Sequence, residues 1–421
     1  MSFGEGTGML RPGRLGRLGP FGRFGFALLL CAALAGLDTW LRPAAMPPAL
    51  ALTPTASGRV EAQGLALVAR GNLPDAAGAR VVHASNLLAM PEAHPWALLA
   101  LWFAGSKEAA PDVNIAASQL ERASGQWSEA QWVVDRRTVA AQLGHGLSRL
   151  GNPVSWLDAS GRVHVFVVAT GLGGWAASRI VHLRQTDLSF KGPVAKPPSA
   201  PHAPMLAFDA VRVLPLSWFW NTSFLVRAAP LGLQDGGMVL PVYFELGSSY
   251  PVALRFDGQG EFRGMVRMSG RKHLMQPTLL RLDDRHWLAL MRNTSPDRKI
   301  AVAQTQDGGL HWSDLPDLAL HNPDSSVAAL SLALPGEQRF ILAHNSLSQS
   351  RSVLDLSESS DGLDWSLRHT LARGAESEEF SYPSMAWADG SVWVSYTDKR
   401  HHIAWQRFSY QKAAEHPPVL R

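Results

Sequence analysis

The segment QPTLLRLDDRHWLALMRN, residues 276–293, reads as a β-hairpin with two polar side chains at its open end. Leu279, Leu280 and Leu282 precede a polar turn, Asp283-Asp284-Arg285-His286, and Trp287-Leu288-Ala289-Leu290-Met291 follow it. Gln276 and Arg292 lie equally far from the turn's centre, so antiparallel pairing brings them together. Arginine is a permanent cation whose planar fork suits a carboxylate, whereas glutamine cannot usefully take a proton. Glu245, at the end of the predicted strand LPVYFE, is a carboxyl at a comparable hairpin end.

Other chemistries are excluded by composition and spacing. Cys31 is the single cysteine, which rules out an internal disulfide and a thiolate zinc site. No His/Asp/Glu cluster has metal-ligand spacing; His401 and His402 are adjacent and would point to opposite faces of a strand. TGLGGWAAS contains glycines but lacks the spacing and the Lys-Ser/Thr of a phosphate loop. No cofactor and no metal are therefore expected. The net charge is +4 and the pI about 9.4, partly because Arg11, Arg14, Arg17 and Arg23 crowd the N-terminus. The body of the chain has no Lys/Arg run with interleaved aromatics, so no nucleic-acid partner is expected.

The elements that must position these residues are strands. In 421 residues, 46% are hydrophobic and 18% charged, enough for a substantial core, and 37 Gly and 28 Pro supply turns. From about residue 80 a polar or proline-containing opening, an apolar strand, a polar turn and a second apolar strand recur. HASNLLAMPEAHPWALLALWF, GNPVSWLDASGRVHVFVVA, the 276–293 hairpin, NPDSSVAALSLALPGEQRFILAHN and FSYPSMAWADGSVWVSYTDKR show it, with a less regular copy in 205–245. A second pattern, a strand, a Ser/Thr/Asp/Gly turn and an aromatic, closes several units at Trp127, Phe190, Phe262, Trp312 and Trp365. A repeat of roughly fifty residues with about four strands is a β-propeller blade, and six openings predict six blades. A sandwich pair or a solenoid fits the strand content but explains this long period less well. In TQDGGLHW, Asp307 can accept backbone N–H groups of its own turn while Trp312 covers the hairpin end, a structural staple.

The N-terminus reads as an export device. A basic arm leads into the apolar run from Phe24 to Leu37, ended by Asp38; this suits a signal peptide, or an uncleaved anchor if Trp40 and Leu41 extend it. Small residues suited to cleavage occur at Ala33-Leu34-Ala35 and Ala49-Leu50-Ala51. The expected organisation is a signal or anchor over 1–42, a Pro/Ala-rich linker over 43–64, the propeller over 65–412 and a tail over 413–421. The folded part is expected outside the cytoplasm, as a monomer, touching membrane only through residues 24–41 if these are retained.

These patterns together resemble the sialidase (neuraminidase) superfamily, and more closely its bacterial BNR repeat-like branch. The turn with Asp307 and Trp312 is similar to that superfamily's Asp-box. APDVNIA, GNPV, LPVYFE, QPTLLRL…LALMRN and EEFSYPSM resemble the branch in the same order, over about residues 80–410. The resemblance implies an all-β, six-bladed propeller with a site where the inner strands converge. It further implies that Asp112 is the acid/base, Tyr382 the nucleophile, and Arg292 and Arg351 members of a carboxylate clamp. The partner so implied is an acidic glycan.

Two positions depart from the pattern: His83 in VVHASNLL stands where the first clamp arginine would align, and Gln276 where the nucleophile's glutamate would. A phenol with pKa near 10 attacks poorly unless a base takes its proton or cations lower its pKa. Glu245, or Glu378 and Glu379 near Tyr382 in sequence, are the candidates to assist. His83 would add positive charge only near or below pH about 6.5. Three readings follow: an exo-glycoside hydrolase acting on a terminal acidic sugar, a non-catalytic propeller that binds an acidic glycan, or a polysaccharide lyase. An Asp112/Glu245 carboxyl pair without Tyr382 is a further route to hydrolysis.

Overall fold

Each of the five regular predicted hairpins is the inner half of a four-stranded antiparallel sheet; of the 205–245 copy, Phe208–Val213 is instead the outer strand of the preceding sheet. The computed structural model describes residues 20–41, 49–52, 64–171, 173–186, 206–334 and 337–410. The first sheet runs Val81–Ala89, Trp96–Gly105, Asn114–Glu121 and Gln131–Val134, in sequence order. The next four span 149–213, 224–267, 274–315 and 328–373; the third carries an extra short strand, Leu231–Gly232. The sixth, over 380–410, receives its fourth strand from the other end of the domain. Leu65–Asn72 pairs with His402–Tyr410, from Leu65 opposite Tyr410 to Asn72 opposite Ala404. This closes the ring and covers a strand edge that would otherwise be left unpaired.

The ring is held by what lies between sheets. A strand with apolar residues on both faces must bury both, and one sheet alone cannot do so. Among the described residues, six apolar clusters each join neighbouring blades. Leu101, Ile115, Val165 and Val181 join the first and second; Phe166, Leu240 and Phe256 the second and third. Val239, Ala253 and Trp287 join the third and fourth; Leu288, Val302 and Phe340 the fourth and fifth. Leu356, Phe380 and Val394 join the fifth and sixth, and Trp102, Leu98 and Trp393 close sixth onto first. A side chain of this size stabilises by about 1.5–3 kcal/mol when fully buried. The blades are therefore coupled all round the axis. The inner strands leave an axial cavity of about 400 Å³, lined mostly by apolar side chains such as Leu87, Leu279, Leu330 and Met385.

The staple turns are built alike in two blades. Asp307 accepts the backbone N–H groups of Leu310 and His311, at 3.0 and 2.9 Å, and the indole of Trp312 donates to the Gly309 carbonyl. Asp361 accepts those of Leu363 and Asp364, both at 2.8 Å, and Trp365 donates to Gly362. Gly308 and Gly362 have φ of +75° and +79°, which glycine adopts without steric cost. Phe190, expected to close the second unit, and the 413–421 tail lie outside the described residues.

Part of the expected linker is folded. Ala51 N–H donates to Asp284 O, Leu52 N–H to Gly232 O, and Gln234 N–H to Leu50 O, at 2.8–2.9 Å, and Ala49 and Ala51 are buried. A separate unit consists of the helix Pro20–Leu41 and the residues Ser217–Trp220. Within that helix, Phe21–Asp38 is long and apolar enough to cross a membrane, and a signal sequence passes the same test.

Candidate active site

A repeated backbone irregularity aims side chains at the axis. In four inner strands the register slips by one residue near the entrance: between His83 and Asn86, Gly151 and Val154, Met275 and Thr278, and Ser381 and Ser384. Each bulge holds a residue at positive φ: Ala84 (+56°), Asn152 (+36°), Gln276 (+48°) and Tyr382 (+54°). A bulge re-aims the chain locally, and such a conformation in a non-glycine residue costs on the order of 1–3 kcal/mol. Arg292 consequently pairs across the ladder with Met275 rather than with Gln276. The two side chains still meet, because the bulge turns Gln276 toward the arginine.

Gln276, 2% exposed, is the hub. Its Oε1 accepts from Arg292 Nη1 at 3.1 Å, and its Nε2 donates to the phenol oxygen of Tyr382 at 3.2 Å and, more weakly, to that of Tyr243 at 3.4 Å. Tyr382 is half-buried. The ring of His83 lies against it with centroids 4.2 Å apart, and the Arg227 guanidinium sits 5.0 Å over its centre. Gln276, Tyr382, Arg292 and His83 therefore share one cup.

Arg292 and Arg351 already hold carboxylates of this chain. Arg292 Nε donates to Asp324 Oδ1 at 2.6 Å. Arg351 pairs with Glu379 at 3.0 Å and donates to the Asp324 backbone carbonyl. Glu379 also pairs with Arg400 at 3.0 Å, and Arg400 pairs with Glu108. Asp324 stands at φ +58°, on a turn fixed by Asn322, which accepts from Ser325 N–H at 3.0 Å. Asn345 ties the Arg351 and Phe380 carbonyls together.

Charge in the cup is set largely by burial. His83 is buried, and its pKa falls well below the usual value through burial first, then the charges of Arg400, Arg227 and Arg351. Burial thus works against the charge expected of it near pH about 6.5, and its Nδ1 has no hydrogen-bond partner. Burial raises the Tyr243 phenol, so it stays neutral. Burial opposes the charge on Arg292, but Tyr382 and Asp324 outweigh it and hold the guanidinium protonated. Glu245 follows the strand Met238–Phe244 and is exposed, yet desolvation raises its pKa; Arg292 works against this and Asp324 adds to it.

Asp112 lies elsewhere in its bonding. Both its oxygens accept from Ser106, the backbone N–H at 3.1 Å and the hydroxyl at 3.0 Å, which fixes its own loop. The same loop carries Glu108 and is thereby tied to Arg400 and Glu379 at the cup. Glu378 pairs with Lys399 at 2.7 Å. Several residues in the site were not singled out in the sequence, Arg227 and Asp324 among them. Arg227, fully buried, donates to the carbonyls of Ser85, Tyr382 and Pro383 and so braces the strained Tyr382 backbone. Asp324 is the carboxylate on Arg292. NPDS, GNPV, QPTL and YPSM share an X-Pro signal that could have marked these entrances. Among the described residues no group of three or more His, Cys, Asp or Glu could hold a metal ion.

The arrangement offers two guanidinium groups for an anion, a phenol contacted by an amide donor, a neutral imidazole and a carboxyl of raised pKa. Comparison with known proteins places this cup on a familiar scaffold. The chain is similar to the Hadza microbial sialidase Hz136, with a TM-score of 0.62 and 14% identity over 80% of this chain and 66% of that one. It is similar to the Trypanosoma rangeli sialidase, at 0.59 and 12% over 82% and 60%. A Dyadobacter fermentans protein of unknown function matches at 0.60 and 12%, over 83% and 100%. The chain thus spans about two-thirds or less of the sialidase chains it matches, and identities this low convey the fold alone. No curated protein matches by sequence. Residues 97–394, well over half the chain, match the BNR repeat-like domain. On that match and on the six-bladed architecture, the chain belongs to the BNR repeat-like family of sialidase-like propellers.

Proposed function

We propose that the cup binds the terminal acidic sugar of a polysaccharide or glycoconjugate outside the cytoplasm and hydrolyses its glycosidic bond in the manner of an exo-α-sialidase. The carrying observation is the Tyr382 phenol at the cup's hub, contacted by Gln276 and flanked by Arg292. The sugar carboxylate would take the free faces of Arg292 and Arg351, or displace Asp324 and Glu379 from them, through charge-assisted hydrogen bonds. Glu245, whose pKa is raised by desolvation, suits a proton donor to the leaving oxygen. Asp112, already an acceptor of two hydrogen bonds from Ser106, is the second candidate for that role. Tyr382 would meet the anomeric carbon. Since Gln276 cannot take the phenol's proton, Asp324 is the carboxylate left to receive it through water.

A second reading rests on His83. A neutral imidazole against Tyr382, with a buried unpartnered Nδ1, beside an amide and an arginine, also suits a polysaccharide lyase. There the amide and guanidinium would neutralise a uronate carboxylate while imidazole or phenol removes the adjacent proton. Incubating the full chain with a fluorogenic sialoside and a panel of uronic-acid glycans separates the readings. Hydrolysis releases a sugar that has gained water, elimination gives an unsaturated product absorbing in the ultraviolet, and binding without turnover would replace both with a lectin role.

A further inference from the structure

The loop Trp218-Phe219-Trp220 has a feature that the cup does not use. Its two tryptophans are 54% and 52% exposed, and Phe219 is half-buried between them. The loop is held by an acidic residue at the end of the apolar helix. Asp38, itself 2% exposed, accepts from the Ser217 hydroxyl at 2.8 Å and from the backbone N–H groups of Trp218 and Phe219 at 2.9 and 3.3 Å. The Ser217 hydroxyl oxygen in turn accepts the Trp220 N–H at 2.7 Å. Trp40, two residues beyond Asp38, is 80% exposed.

We infer that Trp218, Phe219 and Trp220 form a lipid-docking element, seated in the interfacial layer of a bilayer and held there by Asp38 at the end of a retained membrane anchor. Three observations carry this. First, the helix exposes Phe24, Phe26, Leu28 and Leu29, as a helix does when lipid rather than protein covers it. Second, tryptophan rings prefer the boundary between hydrocarbon and water, where an apolar ring and a polar N–H are both satisfied. Trp40, Trp218 and Trp220 gather at the helix end, where that boundary would lie. Third, Asp38 would be costly at this depth if unpaired, and the loop supplies its donors.

Retention follows from the same contacts. Cleavage after Ala35 would leave Asp38 on a stub of less than two helical turns, the residues 36–41. Cleavage after Ala51 would remove Ala49 and Ala51, which are buried and hydrogen-bonded to the blades. The consequence is an enzyme whose encounters with substrate are confined to a membrane surface.

The test uses the full chain with Cys31→Ser, labelled with an environment-sensitive fluorophore at Trp218→Cys, and at Trp132→Cys on an outer strand as control. Both are reconstituted into vesicles of phosphatidylcholine and phosphatidylglycerol. The expected result is a blue-shifted emission at 218, quenched when the lipids are brominated, with neither effect at 132. Adding Asp38→Ala should abolish the shift. Emission at 218 that matches the control overturns the proposal, as does a shift that brominated lipid does not quench, which would mean that protein covers the loop. A shift that survives Asp38→Ala overturns the holding role. N-terminal sequencing of membrane-purified chain must find the helix; a start after Ala35 or Ala51 refutes retention.

Discussion

Gln276→Glu places a carboxylate in direct contact with the Tyr382 phenol, where now only an amide touches it. The side chain is 2% exposed and makes contacts at 3.1 Å to Arg292, 3.2 Å to Tyr382 and 3.4 Å to Tyr243. The contact to Arg292 becomes charge-assisted and gains about 1 kcal/mol. Both phenols then donate instead of accepting, which rotation of a hydroxyl allows. Repulsion from Asp324, across Arg292, costs about 2 kcal/mol at an effective dielectric of about 20 and a separation of roughly 8 Å. Desolvating the new charge at this buried position costs several kcal/mol more, so the variant should fold with lower stability than the wild type. A positioned general base contributes about 10²–10⁴-fold, equal to about 3–5 kcal/mol off the barrier. Release of a fluorogenic aglycone from a sialoside, followed as kcat/KM, should rise accordingly. Unchanged or lower activity in a folded variant would refute the claim that Gln276 leaves Tyr382 without a base in direct contact. A lyase would instead lose activity, because the new charge repels a uronate.

Three other perturbations have defined outcomes. Asp324→Asn, which tolerates the left-handed backbone, frees Arg292 from its internal counterion; affinity for an acidic monosaccharide by calorimetry should rise about tenfold, or about 1.4 kcal/mol. Arg227→Met leaves the carbonyls of Ser85, Tyr382 and Pro383 without their buried donor, and should cost about 1–3 kcal/mol for each acceptor left unsatisfied, read by denaturant titration. Acid should destabilise the ring through its buried histidines: burial lowers His344 to about 4 and His182 to about 2. The unfolded chain takes these protons near pH 6.5 and the folded one does not. Stability is thus fully present above that pH and falls by about 1.4 kcal/mol per pH unit per histidine as pH drops toward the folded values. Thermal melts over that range should show the loss, and His344→Gln should shrink it; a flat profile contradicts the burial argument.

The architecture was legible because it is periodic. Alternating apolar runs around Asp-Gly, Ser-Gly and Pro-Gly turns are local signals, and their recurrence revealed blades that could not bury both faces alone. The closure by Leu65–Asn72 was not legible, because its partner lies more than three hundred residues away and the strand carries no mark of it. Nor was the docking of Ala49–Leu52, too short to stand out in a Pro/Ala-rich stretch. The pairing of Gln276 with Arg292 was readable from hairpin symmetry, although the actual register places Met275 opposite the arginine and lets a bulge restore the contact. Asp324 and Arg227 escaped notice because their roles lie in partners on other blades. The neutrality of His83 depends on burial by Phe103 and Tyr382, which no local window encodes.

The central claim is that Arg292 and Arg351, in one cup with Tyr382, hold the carboxylate of a sugar. Diffraction from crystals soaked with an unsaturated sugar-acid analogue tests it most directly. The expected result is carboxylate oxygens about 2.7–2.9 Å from guanidinium nitrogens of both arginines, with the sugar ring over the Tyr382 phenol. A ligand bound away from the cup, or one whose carboxylate touches neither arginine, would contradict it.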